Sequence, residues 1–112
     1  QELCGSCHKS TLLEWEASLH GQAGIACVAC HAVHTQKTHV AATADALCAG
    51  CHEQSTRDEM HMAHKGENIR CISCHLSRPE DKAAQAVSGH AVTGHSFAVA
   101  SDVCADCHED QP

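Results

Sequence analysis

One five-residue word, Cys-x-x-Cys-His, occurs five times and uses every one of the ten cysteines in 112 residues. It reads Cys4-Gly-Ser-Cys7-His8, Cys27-Val-Ala-Cys30-His31, Cys48-Ala-Gly-Cys51-His52, Cys71-Ile-Ser-Cys74-His75 and Cys104-Ala-Asp-Cys107-His108. Ten cysteines in a short chain could also build a disulfide framework or zinc sites. The histidine decides between these readings. It fills 12 of 112 positions, so its chance appearance after all five pairs has odds on the order of one in a hundred thousand. A zinc ribbon has no use for histidine at that fixed place. A c-type haem does: two thiols form thioether bonds to the vinyl groups and the adjacent imidazole ligates the iron. The expectation is five covalently attached c-type haems, with His8, His31, His52, His75 and His108 as proximal ligands.

Composition points the same way. There is one Trp, one Phe and no Tyr, and Ala, Val and Cys make up much of the apolar fraction. Small domains lacking a sufficient core need staples such as disulfides, metals or cofactors. Five macrocycles would supply that core, with the protein wrapped around them. The fold expected is therefore mainly coil with a few short α-helices. It would be a multihaem cytochrome c fold around a stacked haem chain, with no β-sheet of note, as one domain over residues 1–112.

The formal charge is −7 with histidines neutral. Ten propionates and five iron porphyrins would bring the loaded protein to about −12 oxidised and about −17 reduced. Such a surface excludes nucleic acid as a partner and suits basic redox proteins. No stretch approaches the ~20 apolar residues of a transmembrane segment. Covalent haem attachment takes place outside the cytoplasmic membrane, so a signal peptide is expected to have been removed. The compartment is expected to be periplasmic or extracellular.

The words begin at positions 4, 27, 48, 71 and 104, a loose internal repeat whose last interval is the longest. Thr11-Leu-Leu-Glu14 is a capping-box pattern for a helix towards Leu19, with Leu12, Trp15 and Leu19 on one face and Gly21 and Gly24 breaking it. His34 and His39 fall in a polar loop, and Asp45 is placed to cap a turn into the third word. Thr56-Arg-Asp-Glu59 is a second capping box, opening a helix with His61 and His64 on one face and Gly66 at its end. A further helix is expected over Pro79 to Val87, with Gly89 beyond it.

Seven histidines lie outside the words: His20, His34, His39, His61, His64, His90 and His95. Five haems need five distal ligands, so at least two are surplus. Met60 and Met62 could ligate in principle, but packing against a haem face suits them better. His20 and His64 each lie seven residues before a haem cysteine, a recurrence that marks them as distal ligands. His34 is too close to His31 to reach the far side of the same haem, and is placed to serve a neighbouring one.

The segment Cys48 to His75, with its His61-Met-Ala-His64 pair, resembles the small tetrahaem cytochromes and the haem domain of tetrahaem flavocytochrome fumarate reductases. So does Cys27-Val-Ala-Cys30-His31-Ala-Val-His34. The opening is also similar to pentahaem and decahaem periplasmic cytochromes, from Cys4 through Trp15 and Ser18-Leu-His20 to His34. These families include the pentahaem donor of formate-dependent nitrite reductase and the decahaem proteins of outer-membrane conduits. The resemblance covers roughly positions 4 to 75 and implies that His34, His61 and His64 ligate, with His20 as the fourth. The last third departs from the tetrahaem pattern by adding a haem, whose ligand is not carried over. His95, in Gly94-His95-Ser-Phe97, is chosen over His90 and His39.

The functional expectation is electron transfer through five closely spaced bis-histidine haems. Saturated iron leaves no position for substrate, so an enzyme is not expected; a multihaem oxidoreductase that keeps one haem open on its distal side is the lesser alternative. Two versions follow: a subunit that self-associates into a conductive extracellular filament, and a monomeric periplasmic shuttle to a terminal reductase or outer-membrane conduit. A haem or metal store, with the surplus histidines binding divalent metal, is the competing class. It predicts metal uptake without reversible reduction.

Overall fold

The computed structural model describes residues 2–35, 37–39, 43–64, 69–76, 92–99 and 101–108. The described residues are short helices and coil, with one isolated antiparallel bridge between His31 and Thr38 and no sheet. This is the helix-and-coil class expected. The helices are α1 (Glu2–Gly5), α2 (Lys9–Ala17), α3 (Leu19–Gln22), α4 (Ala44–His52), α5 (Glu59–Ala63), α6 (Cys71–His75) and α7 (Ser101–Ala105), with 3-10 turns at Cys27–Ala29 and Ser55–Arg57. The expected helix at Pro79 to Val87 lies outside the described residues, as do Gly66, Gly89 and His90.

The chain falls into two compact units, one formed by Gln1–Cys27 with Cys74–Pro112 and the other by Val28–Ser73. In the first, α2 starts at Lys9 with His8 at its N-cap, so the Thr11 capping box does not form. Glu14 bonds elsewhere. The helix stops at Ser18, whose backbone is extended (ψ 162°) and whose hydroxyl donates to the Trp15 carbonyl at 2.6 Å while accepting the Gly21 N–H at 3.1 Å. Serine competes with the helix for its own backbone groups, which is why it caps better than it continues. Leu19 therefore leaves the Leu12–Trp15 face and is 80% exposed. Gly21 does not break a helix either. It sits inside α3, where a Cβ would collide with the Trp15 carbonyl. The end of α3 is a Schellman closure: Ile25 N–H reaches the His20 carbonyl at 2.9 Å and Gly24 N–H that of Gly21 at 3.0 Å. The Trp15 indole N–H donates to the Ile25 carbonyl at 3.0 Å and ties this turn back to α2.

In the second unit, the loop after the second word is pinned by Ala32 N–H to the Lys37 carbonyl (2.8 Å) and His39 N–H to the Cys30 carbonyl (2.7 Å). Thr43, not Asp45, caps α4 by accepting the Ala46 N–H at 3.1 Å. Asp45 instead accepts the Cys71 N–H at 3.0 Å, so it serves the first residue of the fourth word, with the Arg70 guanidinium 3.9 Å from its other oxygen. The second capping box is displaced as well. Thr56 donates to the Glu53 carbonyl within the 3-10 turn, and Asp58 is the N-cap of α5, accepting the His61 N–H at 2.9 Å.

Among the described residues no apolar side chain is buried; Gly5, Ser18 and Gly94 are the buried positions. Leu3, Leu19 and Met60 are 81%, 80% and 73% exposed. Ordering a residue's backbone costs roughly 1–2 kcal/mol, whereas burying a Leu or Met side chain contributes about 1.5–3 kcal/mol. Side chains as exposed as these three contribute little towards offsetting that cost.

Candidate haem sites

Each word is built as a turn of helix or beside one. The first and last share a pattern: Cys7 and His8 N–H groups both donate to the Cys4 carbonyl at 3.2 and 2.9 Å, and those of Cys107 and His108 to the Cys104 carbonyl at the same distances. The third word lies within α4 and the fourth is α6 itself. The second begins with the 3-10 turn Cys27–Ala29 and ends at the His31 bridge. Helical spacing of three places both sulfurs of a word on one face, with the histidine a turn from the first cysteine. That is the arrangement two thioether bonds and one axial imidazole require. Among the described residues, which include all ten cysteines, no disulfide forms. No group of three or more His, Cys, Asp or Glu side chains among them converges as a metal-ion site.

Partial burial of the Cys71 thiol, then the Asp45 carboxylate and the neighbouring Cys48, push it up to about 11. Within the second unit, the first cysteine of the fourth word thus lies near that of the third.

The histidines show how the imidazoles are held. A ligating histidine almost always donates its other ring N–H to a carboxylate or carbonyl, which fixes tautomer and orientation. His61, on α5, donates from Nδ1 to the Asp58 carboxylate at 2.7 Å. In return, Asp58 is held below the ordinary carboxylate range, first by the His61 backbone N–H and then by its ring. His64, the C-cap of α5, donates from Nδ1 to the Met60 carbonyl at 2.9 Å. His75, the histidine of the fourth word, donates from Nδ1 to the Phe97 carbonyl at 3.1 Å. His95 donates from Nδ1 to the Thr93 carbonyl at 3.2 Å, with the Thr93 hydroxyl 3.1 Å away. In each of these four rings Nδ1 carries the donated proton, which fixes the tautomer of the neutral imidazole. His39 is the reverse, since its Nε2 meets the Val28 carbonyl at 2.8 Å.

His20, on α3, is half-buried, and His34 is exposed in the turn after the second word. His8, His52 and His108 are exposed. The first unit brings His20, His75 and His95 around Phe97, whose ring meets those of His20 and His95 edge-on at 4.4 and 5.8 Å. Phe97 has φ 56°, the left-handed region that a bulky residue occupies only at a cost of about 1–3 kcal/mol. Sequence reasoning did not single out Glu14, Asp58, Thr93 or Phe97 as supports. Asp58 had a signal, an Asp three residues before a helical histidine. Glu14 and Thr93, 79 residues apart, had none.

Residues 20–57 match the family model described as the doubled CXXCH motif. The match takes in the second and third words together with His20, His34 and His39. No curated protein and no solved structure matches the chain. A doubled word of this kind indicates covalent c-type haem binding and electron transfer, which makes the chain multihaem-cytochrome-like. The ten cysteines fit up to five haems. No helix among the described residues is long and apolar enough to cross a membrane.

Proposed function

We propose that the chain carries five c-type haems, each ligated by two histidines, and passes electrons among them. The observation that carries this reading is that all five words stand in or directly beside a helical or 3-10 turn, so that each site is formed locally. The haems supply one-electron chemistry at iron. The protein's own residues attach them, through cysteine pairs on single helical faces, and orient the axial imidazoles through Nδ1. His20, His34, His61, His64 and His95 are the distal set. His39 is set aside because its Nε2 already meets the Val28 carbonyl, and His95 is taken as the fifth.

Full coordination gives the protein no position for substrate, so the role is transfer and not catalysis. Haem attachment outside the cytoplasmic membrane supports a periplasmic or extracellular location. Its partners there are basic redox proteins or further copies of itself. The first and last words fall in the same compact unit, so their places in the sequence are no argument for an end-to-end path. Exposed Leu3 beside Cys4 suits a contact between copies in a filament. A strictly monomeric holoprotein in light scattering and electron microscopy would leave the shuttle.

Haem quantitation by pyridine haemochrome and intact mass tests the count, with five haems per chain expected. The ferric protein should be wholly low-spin and the ferrous protein inert to carbon monoxide. Fewer than five haems, or a haem that binds carbon monoxide in the native protein, would overturn the proposal.

A further inference from the structure

We propose that residues 92–97, clamped by Glu14, form one positioning element that orients three haem-ligating histidines, His20, His75 and His95, through Phe97. This rests on the reading that those histidines ligate iron. Glu14 and Phe97 are positioning residues in it, not ligands.

Both carboxylate oxygens of Glu14, on α2, are engaged. Oε1 accepts the Thr93 N–H at 2.7 Å, and Oε2 accepts the Thr93 hydroxyl at 2.9 Å and the His95 N–H at 2.8 Å. Bonds to a charged acceptor are among the stronger ones a protein makes. Three of them on one side chain fix the main chain at Thr93 and His95. Gly94 between them has φ +80° and lies so close to the Leu76 carbonyl that a Cβ would stand 2.7 Å from its oxygen. The loop is thereby set against α2 on one side and the residue after α6 on the other.

From this base the loop reaches three imidazoles. His95 belongs to it and is oriented by Thr93. Phe97 presents its carbonyl to His75 Nδ1 and its ring edge to His20. An iron has two axial positions, so three histidines serve at least two haems. One loop therefore governs the ligands of more than one redox centre, including the proximal ligand of the fourth word.

The holoprotein variants Glu14→Gln and Phe97→Gly test this. Gln keeps the size of Glu14 but turns one acceptor into a donor facing backbone N–H groups. Gly accepts φ 56° and keeps the carbonyl to His75 while removing the ring. Both should retain the parental far-UV circular dichroism. In Glu14→Gln, about one haem in five should become high-spin and bind carbon monoxide. In Phe97→Gly, the ferric electron paramagnetic resonance signals should shift, through altered imidazole orientation at His20 and His95. Parental behaviour of either variant overturns the shared element. Should Glu14→Gln fail to mature, Phe97→Gly decides. A parent that itself binds carbon monoxide would instead overturn the bis-histidine reading, so the two failures are distinguishable.

Discussion

Replacing Ser18 by alanine should be disproportionately costly for so small a change. Ser18 is 3% exposed and makes two hydrogen bonds, to the Trp15 carbonyl and from the Gly21 N–H. Losing an N-cap side chain costs about 1 kcal/mol. Losing the hydroxyl bond to Trp15 costs about 1 kcal/mol more, even though that carbonyl keeps the Ser18 N–H at 3.0 Å. Alanine fills nearly the same volume, so no cavity adds to the sum of about 2 kcal/mol. At urea m-values of ~1–3 kcal/mol/M, the unfolding midpoint should fall by roughly 1 M. Trp15, the one tryptophan, reports the transition: haem quenches it when folded and emission recovers on unfolding. With His20, two residues on, as the distal ligand proposed above, low-spin signal from that haem should fade over the same lowered range of urea. A loss under about 0.5 kcal/mol, the scale of ordinary surface substitutions, would refute the argument that Ser18 joins α2 to α3.

Gly21→Ala should also destabilise, by about 1–3 kcal/mol of overpacking, because its Cβ would meet the backbone of Trp15 and Glu16 rather than a side chain that can move. A urea midpoint at or above the parental one would contradict this. His39→Asn should leave the haem spectra unchanged while His95→Asn opens one haem to carbon monoxide; the opposite pair of results would exchange their roles. Asp58 supplies a pH dependence. Its folded pKa lies below the ordinary value, so the unfolded chain binds the proton more readily. Its stabilisation is then complete above about pH 4 and is lost as the pH falls through the depressed value. In an acid titration followed by low-spin absorbance, Asp58→Asn should flatten that step; an unchanged curve would show that His61 does not depend on the carboxylate.

The haem words and the helix-and-coil class were legible because both are local: five residues specify a turn and its chemistry. The caps were harder. Both capping-box patterns lay close to real helix starts, but His8 and Asp58 took the N-cap positions two or three residues from where Thr11 and Thr56 suggested. A pattern of residue types does not say which of two neighbouring polar groups faces the open N–H. Asp45 was expected to cap the turn into the third word, but Thr43 holds that place and the Asp45 carboxylate accepts the Cys71 N–H, 26 residues away. The support of His95 by Glu14 depends on a return of the chain over 81 residues, and no window of sequence contains it. The same holds for Phe97 and His20.

The division of the chain sets an order of assembly. Val28–Ser73 is one continuous run, whereas the other unit needs Gln1–Cys27 and Cys74–Pro112 together. Synthesis from the N-terminus makes Glu14 long before Thr93 exists to meet it. The middle unit can close while the C-terminal third is still being made. The first segment has to wait through the whole of that interval. Long-range closures of this kind are slow, and a half-made unit with exposed apolar surface is a target for aggregation. The docking of residues 92–97 onto Glu14 is therefore the last of these closures to become possible.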